Sequence, residues 1–507
     1  MALEFYNHIK LHAEKTPGHP AIVDGDHTLT YSELLEQIEK FSGALTGLNL
    51  GPNSKLGIFC LNQKEYLIAF LGSLLKGLPV VPFNFLLGPG DLGFIAKNAE
   101  IDILIVDSMF IKKDTLPFFQ MFRHKIVVGK ADLEALGDGT TSFDNFMHSA
   151  DRKQTRHTRD VSSIPDTIFY TSGTTGQPKG VMLDEKQFDI NCDGFLAHLD
   201  INAKDRAIVA LPLFHSFGNI MSLVLLRQGA TLILLRQFAP KTILDMATKH
   251  KATLLPLVPT IYSFLIQIYA RGGYDVSSLR ACISGGASLP AALHNKVKEI
   301  LGTAVLEGYG LTETSPVIAV NKTSEGGVPG SVGPVLPNLK IKIIDESGQP
   351  VKPGDVGEIW VRGETVMRGY WKNPVETEKI MTPDGWLKTG DLGHMDAKNH
   401  LFISAGRKKD LIIRAGENVA PLAIENALMN HPGIAEVAVI GILDDRLGEK
   451  AKACIVLREG TEVEEQELKK FCRERLPAFM VPDIIEFHES LPKNATGKVL
   501  KIQLRES

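Results

Sequence analysis

Three short segments carry side chains whose types and spacing suit phosphate chemistry. They are YTSGTTGQPKG at 170–180, EGYGLTETSP at 307–316 and LPKNATGKVL at 491–500. In the first segment, glycines allow successive backbone N–H groups to point at an anion, and Lys179 supplies a positive charge. The sequence therefore predicts an anion-binding loop. Its candidate residues are Thr171, Ser172, Gly173, Thr174, Thr175, Gly176 and Lys179.

This loop differs from the common phosphate loop of NTPases. That motif has the pattern G-x-x-x-x-G-K-[ST], and its last hydroxyl binds magnesium. Here Pro178 precedes Lys179 and Gly180 follows it. The pattern therefore does not predict a kinase or an NTPase of that class. For this loop taken alone, a flexible surface turn is the alternative.

The three segments together resemble motifs of the adenylate-forming superfamily, which includes acyl-CoA synthetases, luciferases and nonribosomal adenylation domains. The chain looks most like a fatty acyl-CoA synthetase, and the resemblance extends from TYSEL at 30–34 to Lys498. It implies an AMP-forming acid–thiol ligase, in which a small carboxylic acid reacts with ATP to give acyl-AMP and then with coenzyme A to give a thioester. ATP, Mg²⁺ and coenzyme A are the implied cofactors and co-substrates.

The middle segment supplies most of the expected nucleotide contacts. Tyr309 offers a flat face for adenine, and Thr312 could donate to the α-phosphate. Glu313 could hold magnesium, with Thr171 as a second ligand. Asp391, in KTGDLG, could accept hydrogen bonds from both ribose hydroxyls. The other candidate nucleotide contacts are Gly286, Ala287, Glu307 and Gly310.

The C-terminal part supplies the expected catalytic cation. Lys498 would stabilise charge on the carboxylate and the α-phosphate, so the candidate catalytic residues are Lys498, Thr312 and Glu313. The resemblance implies that Arg407 reaches the ribose, that Lys409 is a hinge, and that Gly416 faces a pantetheine tunnel. Without the family pattern, Lys498, Glu313 and Asp391 would each be ordinary solvated or turn residues.

The identity of the acid is less constrained. PLFHSFGNIMSLVLL at 212–226 lacks the aspartate with which relatives that activate amino acids hold the α-ammonium group. An apolar acyl channel is expected instead. A fatty acid is the expected substrate, and an aryl acid is the alternative substrate. A carrier protein in place of coenzyme A is the alternative acceptor. A luciferase-like oxidase and an inactive acyl- or nucleotide-binding regulator are more remote alternatives for the function of the whole protein. The candidate pocket residues are Phe214, His215, Phe217, Val258, Gly285 and Val317.

Composition favours a soluble cytoplasmic enzyme. The chain has 507 residues and a net charge of −4, which gives no electrostatic reason to expect nucleic acid. Five separated cysteines fit a reducing compartment. The apolar stretch at 67–87 contains Lys76 and two prolines, which favour a buried helix and strand over a membrane span. Peripheral membrane contact is expected only from an apolar substrate, and the oligomeric state is not predicted.

The apolar pattern predicts an α/β fold. Short apolar runs alternate with amphipathic stretches from about 166 to 310, which indicates mainly parallel β structure covered by helices, and the large N-terminal domain is expected to consist of doubly wound sheets. Turn-rich short strands over 328–405 indicate a small antiparallel β unit. The remaining residues suit a small α+β domain. The predicted domains are 1–406 for AMP binding and 410–507 as a mobile lid, with the hinge at 407–409 implied by the resemblance.

Overall fold

The computed structural model describes residues 4–150, 161–171, 177–236, 239–407, 410–414, 417–444, 446–493 and 497–506. The helices of these residues, α1 to α15 in chain order, are Glu4–Lys15, Tyr31–Ala44, Lys64–Lys76, Pro89–Ala99, Leu116–Gln120, Phe143–His148, Glu185–Leu196, Ser216–Arg227, Pro240–His250, Pro259–Tyr269, Ala291–Leu301, Pro374–Ile380, Pro421–Leu428, Glu465–Arg473 and Lys501–Glu506. None of them is long and apolar enough to cross a bilayer.

The strands of the described residues, β1 to β25 in chain order, are Pro20–Asp24, His27–Thr30, Leu56–Phe59, Val80–Pro82, Ile103–Asp107, His124–Val128, Thr140–Ser142, Thr167–Thr171, Lys179–Leu183, Arg206–Val209, Thr231–Leu234, Leu254–Leu257, Ala281–Ser284, Ala304–Gly310, Val317–Val320, Gly333–Pro334, Leu339–Ile344, Gly357–Gly363, Leu387–Met395, His400–Arg407, Ile412–Arg414, Glu417–Val419, Ile434–Asp444, Gly448–Leu457 and Ile484–Phe487.

Two mainly parallel sheets form the N-terminal part. One has the strand order β15-β14-β13-β12-β10-β11-β1-β2, and the other has the order β7-β6-β5-β3-β4-β8-β9. The α/β class and the predicted strands and helices between 166 and 310 are confirmed. β8 belongs to the second sheet, because it pairs with β4 and turns back antiparallel into β9.

Central strands of the first sheet lie in the core. β11, β12 and β13 are buried along their whole length, as expected for parallel strands covered by helices on both faces. Helix α8 is apolar on nearly every side, and almost all of its residues are buried. A helix of this composition belongs in a core, and its N-terminus brings His215 and Phe217 to the carboxyl edge of the sheet.

The predicted antiparallel unit is a five-stranded sheet with the order β16-β20-β19-β18-β17. β19 and β20 pair antiparallel, and Asp391 lies opposite Arg407 in that register. The segment between β18 and β19 also returns to the second sheet, where Tyr370 forms a bridge with Val181 of β9. The small unit therefore contacts the strand that follows the predicted anion loop.

The last part of the chain has its own core. β21 to β24 form an antiparallel sheet, and β25 adds in parallel beside β24. Helices α13 and α14 cover it through residues such as Ile424, Leu428 and Leu468. Glu425 of α13 accepts a hydrogen bond from the Val439 N–H and pairs with Lys501. The domain boundary at 407–409 stays a prediction, and residues 408–409 lie outside the described residues.

Candidate active site

The carboxyl ends of β13 and β14 bring two of the predicted segments together. Ser284 at the end of β13 is in register with Glu307 of β14. After β13 the chain exposes Gly286 and Ala287 to solvent, and Gly310 is exposed at the end of β14. A Cβ atom at Gly310 would lie 1.8 Å from the Pro316 carbonyl oxygen, so only glycine fits there. The candidate adenine site is therefore an open surface on tightly packed backbone.

Tyr309 and Asp391 contact each other across two sheets. The Tyr309 hydroxyl donates to Asp391 Oδ2 at 2.6 Å. Asp391 is only 6% exposed, and its N–H donates to Thr389 Oγ1 at 3.0 Å. A short carboxylate held in this way has a fixed orientation. The arrangement suits the predicted stacking of adenine on Tyr309 beside a ribose held by Asp391, and those roles stay predictions.

Glu307 supports the loop after β13. Its Oε1 atom accepts a hydrogen bond from the Leu289 N–H at 2.8 Å, and the residue is 3% exposed. Burial raises the pKa of this carboxyl group to about 8. The Glu307 carboxyl group is therefore mostly neutral at pH 7, and it hydrogen-bonds the loop after β13. This contact holds the loop in place, whereas a neutral carboxyl group has no charge with which to attract a nucleotide.

Thr312 and Glu313 lie in a 3₁₀ turn that follows β14. Thr312 Oγ1 is 3.1 Å from Ser216 Oγ at the start of α8. Glu313 Oε1 accepts from the Tyr370 hydroxyl at 2.8 Å. This turn also packs against β9. One carboxylate near phosphates suits Mg²⁺, which commonly takes one or two carboxylates and completes its shell with phosphate and water.

Lys179 lies where the predicted anion loop closes. It is the first residue of β9 and is in register with Thr171, the last residue of β8. Its Nζ forms an ion pair with Glu376 Oε2 and lies 5.4 Å from the centre of the Tyr370 ring. Thr171 Oγ1 donates to the Lys179 carbonyl at 3.5 Å. The predicted phosphate ligand is thus already paired with a carboxylate.

Several predicted residues lie outside the described residues. These are Ser172, Gly173, Thr174, Thr175, Gly176, Lys409 and Gly416. The backbone of Arg407 is described as part of β20, and its side chain is not. The roles expected for these residues stay predictions.

The predicted acyl residues lie in closely packed surroundings. The Phe217 ring covers Gly285 so closely that a Cβ atom there would approach it to 3.1 Å. Phe214 packs edge to face against Phe85, with ring centres 4.8 Å apart. Val317 is buried, and its backbone is in register with Gly310. The surface beside the nucleotide groups is therefore apolar and closely filled.

His215 lies between the acyl residues and the C-terminal segment. Its Nδ1 accepts from the Phe217 N–H at 3.3 Å and so caps α8. Burial, and after it the charge of Lys498, lowers the pKa of His215 to about 4. The imidazole is therefore neutral at pH 7. The electrostatic effect also means that the Lys498 ammonium is near this ring.

The C-terminal segment is docked on α10. Gly497 has a φ of +77° and lies against Thr260, where a Cβ atom would approach Thr260 Oγ1 to 2.8 Å. Val258 bridges two glycines: its Cγ1 lies 3.6 Å from the Cβ position of Gly286, and its Cγ2 lies 3.6 Å from that of Gly497. A segment that is more than two hundred residues away in sequence thus contacts the wall of the candidate site.

Two family models match this chain. One, described as AMP-binding enzyme, matches residues 9–371, and the other, described as AMP-binding enzyme C-terminal domain, matches residues 423–498. The chain belongs to the AMP-binding enzyme family. This membership confirms the resemblance to adenylate-forming enzymes.

Relatives of this AMP-binding enzyme match nearly its whole length. A long-chain-fatty-acid–CoA ligase of Bacillus subtilis is 33% identical and covers 97% of this chain and 92% of its own length. A feruloyl-CoA synthase of Amycolatopsis is 32% identical, with 97% and 96% covered. The crystal structure of ATP-bound MatB from Rhodopseudomonas palustris has a TM-score of 0.88 at 30% identity, with 100% and 99% covered.

Four contacts of this AMP-binding enzyme involve residues that the sequence motifs did not single out. Ser216, Thr260, Tyr370 and Glu376 contact Thr312, Gly497, Glu313 and Lys179, respectively. Ser216 and Thr260 lie in the first turns of α8 and α10, next to candidate pocket residues, and this position in the sequence could have indicated them. No local sequence pattern indicates Glu376, because its partner, Lys179, is 197 positions away.

Proposed function

We propose that this protein activates a carboxylic acid with ATP and then transfers the acyl group to coenzyme A. The product of the first step is an acyl-AMP, and the product of the second is an acyl-CoA thioester. Family membership and CoA-ligase relatives over the whole chain support this reaction class.

One observation carries the proposal: Lys498 and Gly497 approach the candidate site from the C-terminal segment. Gly497 lies against Thr260 and Val258, and the charge of Lys498 acts on His215. On the nucleotide side, Tyr309 and Asp391 form a fixed pair. A cation between an apolar pocket and a nucleotide site suits attack of a carboxylate on a phosphate, because negative charge increases there in the transition state.

In the first step, a carboxylate oxygen attacks the α-phosphorus of ATP. The new bond joins carboxyl oxygen to phosphorus, and the bond between the α-phosphorus and the bridging oxygen to the β-phosphate breaks, releasing pyrophosphate. Lys498 stabilises the added charge, and Lys179 contacts the departing phosphates. Glu313 would hold Mg²⁺, which supplies charge neutralisation on the phosphates. Neutral His215 adds no second positive charge at the acid, so binding of the carboxylate depends on Lys498.

In the second step, the sulfur of coenzyme A attacks the acyl carbonyl carbon. The bond between that carbon and the AMP oxygen breaks, and AMP leaves as the thiol proton is lost. Lys498 and Gly497 must first move away from Val258 and Thr260 to admit the thiol. A rotation of the C-terminal domain about the predicted hinge at 407–409 would do this.

We propose a fatty acid as the preferred substrate, and an aryl acid as the second candidate. The packed apolar wall of Phe214, Phe217 and Val317 and the long-chain-fatty-acid–CoA ligase relative support the first. The flat Phe217 ring against Gly285 and the feruloyl-CoA synthase relative favour the second, because a planar ring stacks on such a surface. Five free buried cysteines support a reducing compartment such as the cytoplasm.

The test is carboxylate-dependent pyrophosphate release with octanoate, palmitate, benzoate and coumarate, each with and without coenzyme A. We expect one acid class to support exchange of pyrophosphate into ATP without coenzyme A, and AMP to accumulate only when coenzyme A is added. Absence of exchange with every acid would contradict the reaction. Preference for coumarate over palmitate would select the aryl candidate.

A further inference from the structure

The ammonium of Lys179 is held by a carboxylate outside the predicted motifs. Glu376 lies in the first turn of α12, and its Oε2 pairs with Lys179 Nζ. The two side chains are only 20% and 23% exposed, so water screens the pair incompletely. Lys179 also lies against the ring of Tyr370, whose hydroxyl binds Glu313. The ion pair is therefore part of the candidate phosphate site.

Backbone contacts hold Glu376 at this position. The Trp371 N–H donates to the Gly180 carbonyl at 2.7 Å, directly beside Lys179. The Met182 N–H donates to the Gly369 carbonyl at 3.0 Å. Asn373 then caps the N-terminus of α12, because its side chain accepts a hydrogen bond from the Glu376 N–H at 3.2 Å. The strand that carries the lysine thus also fixes the helix that carries the carboxylate.

The carboxylate is charged at neutral pH. Lys179, and after it Lys379, lowers the pKa of Glu376 to about 2. A phosphate oxygen that reaches Lys179 must therefore replace an ionised carboxylate or share the ammonium with it. Lysine forms charge-assisted hydrogen bonds of similar strength with a carboxylate and with a phosphate. Exchange of Glu376 for a phosphate oxygen therefore changes the free energy little.

We propose that Glu376 is a positioning residue that competes with phosphate for Lys179 and so speeds release of pyrophosphate. This role rests on the proposed function, in which Lys179 contacts the departing phosphates. Pyrophosphate with an uncontested lysine would leave slowly and would favour the reverse reaction. A carboxylate tethered beside the lysine has a high effective concentration and recaptures it as the product leaves. Binding of ATP is weakened by the same competition.

The test compares Glu376→Gln with Glu378→Gln, which removes an exposed carboxylate from the same helix. Pyrophosphate and ATP are titrated directly into each variant by calorimetry, and the KM for ATP and inhibition by pyrophosphate are measured. We expect Glu376→Gln to bind pyrophosphate about 5–20-fold more tightly and to have a lower KM for ATP. Glu378→Gln should match the original protein in all four measurements.

A double-variant cycle separates this role from a structural one. In a Lys179→Met background, Glu376→Gln should leave pyrophosphate affinity unchanged, because the contested ammonium is absent. Unchanged or weaker pyrophosphate binding by Glu376→Gln alone would overturn the proposal, as would the same tightening in the Lys179→Met background. If circular dichroism shows that Glu376→Gln does not fold, Glu376→Asp replaces it. Its shorter carboxylate should tighten binding by about 2–5-fold, and no tightening would overturn the proposal.

The titrations need neither an acid substrate nor coenzyme A. They therefore distinguish failure of this inference from failure of the proposed function. Tighter pyrophosphate binding by Glu376→Gln without acid-dependent exchange would support the role of Glu376 and contradict acid activation. Acid-dependent exchange with unchanged pyrophosphate binding would support acid activation and contradict the role of Glu376.

Discussion

The nucleotide side and the acyl side of the candidate site are built differently. On the nucleotide side, polar groups are paired with one another: Tyr309 with Asp391, Tyr370 with Glu313, and Lys179 with Glu376. On the acyl side, Phe217 packs on Gly285, and the neighbouring polar residue, His215, is neutral at pH 7. One half is organised by directional hydrogen bonds and charge, and the other by packing.

This difference determines which aspect of ligand specificity each half of the candidate site can set. Hydrogen bonds and ion pairs require particular atoms at particular distances, so they specify one ligand chemistry. Apolar packing discriminates mainly by size and shape, and a methylene changes binding by only about 1–3 kcal/mol. The relatives of this chain accordingly differ in their acids, as the long-chain-fatty-acid–CoA ligase and the feruloyl-CoA synthase illustrate.

Removing the cation between the two halves should have the largest effect. Lys498→Ala should slow adenylation by roughly 10²–10³-fold, because a charge-stabilising donor is lost, and should largely spare thioester formation from supplied acyl-AMP. The two half-reactions are measured separately by pyrophosphate exchange and by CoA consumption. Lys501→Ala removes a lysine three positions on, which pairs with Glu425, and serves as the control. Equal loss in both half-reactions would contradict the two-pose mechanism.

Changing the acyl side alone should alter the acid preference. Phe217→Ala removes the ring that covers Gly285 and should open space for a bulkier acid. We expect the ratio of kcat/KM for a bulky acid to that for a small acid to rise about 10–100-fold. The KM for ATP should stay constant, since no nucleotide contact changes. An unchanged acid preference with a changed KM for ATP would contradict the division into two halves.

Changing the nucleotide side alone should weaken the use of ATP and leave the acid preference unchanged. Tyr309→Phe keeps the aromatic face and removes the hydroxyl that orients Asp391. We expect the KM for ATP to rise about 5–10-fold, as for loss of a hydrogen bond that contributes about 1 kcal/mol, while the ranking of acids stays the same. Steady-state kinetics at saturating acid and CoA measure this. A KM for ATP equal to that of the original protein would show that Asp391 needs no such support.

The smallest expected effect concerns stability rather than activity. Glu307 has a folded pKa of about 8, raised by burial from an ordinary value of 4.5. The folded state therefore holds this proton more tightly than the unfolded state, and stability is lost as the pH rises from about 4.5 to 8. The loss is at most about 1.4 kcal/mol per pH unit.

Glu307→Gln is neutral at every pH and keeps an oxygen for the Leu289 N–H. Its melting temperature should therefore fall less steeply between pH 5 and pH 8, by about 1 °C for each kcal/mol removed. Scanning calorimetry over this range compares the two slopes. Parallel profiles would show that Glu307 is ionised in the folded protein at neutral pH.

Much of the fold could be predicted from apolar periodicity. Runs such as those of β11 and β13 are too short and too apolar for surface helices, and they lie in the buried sheet as expected. The assignment of each strand to one of the two sheets could not be predicted. The pairing of β8 with β4 joins segments that are far apart in sequence, and apolar periodicity does not specify such a partner.

The same limit applies to the candidate site. Tyr309, Glu313 and Asp391 could be selected because they lie in segments that resemble the motifs of adenylate-forming enzymes. Glu376 and Tyr370 could not be, since an ion pair or a ring contact across almost two hundred positions has no local pattern. The packing of Phe217 on Gly285 depends on rotamers and backbone spacing, which apolar composition alone does not specify.

The valine at the start of α10 has two methyl groups with different neighbours. One faces the glycine loop that follows β13, and the other faces the docked C-terminal segment. An acid bound against Val258 would therefore press on a surface that also supports the incoming lysine. Occupancy of the pocket and the pose of the small domain would then be linked through a single side chain, so that the cation would arrive most stably when a substrate is present to use it.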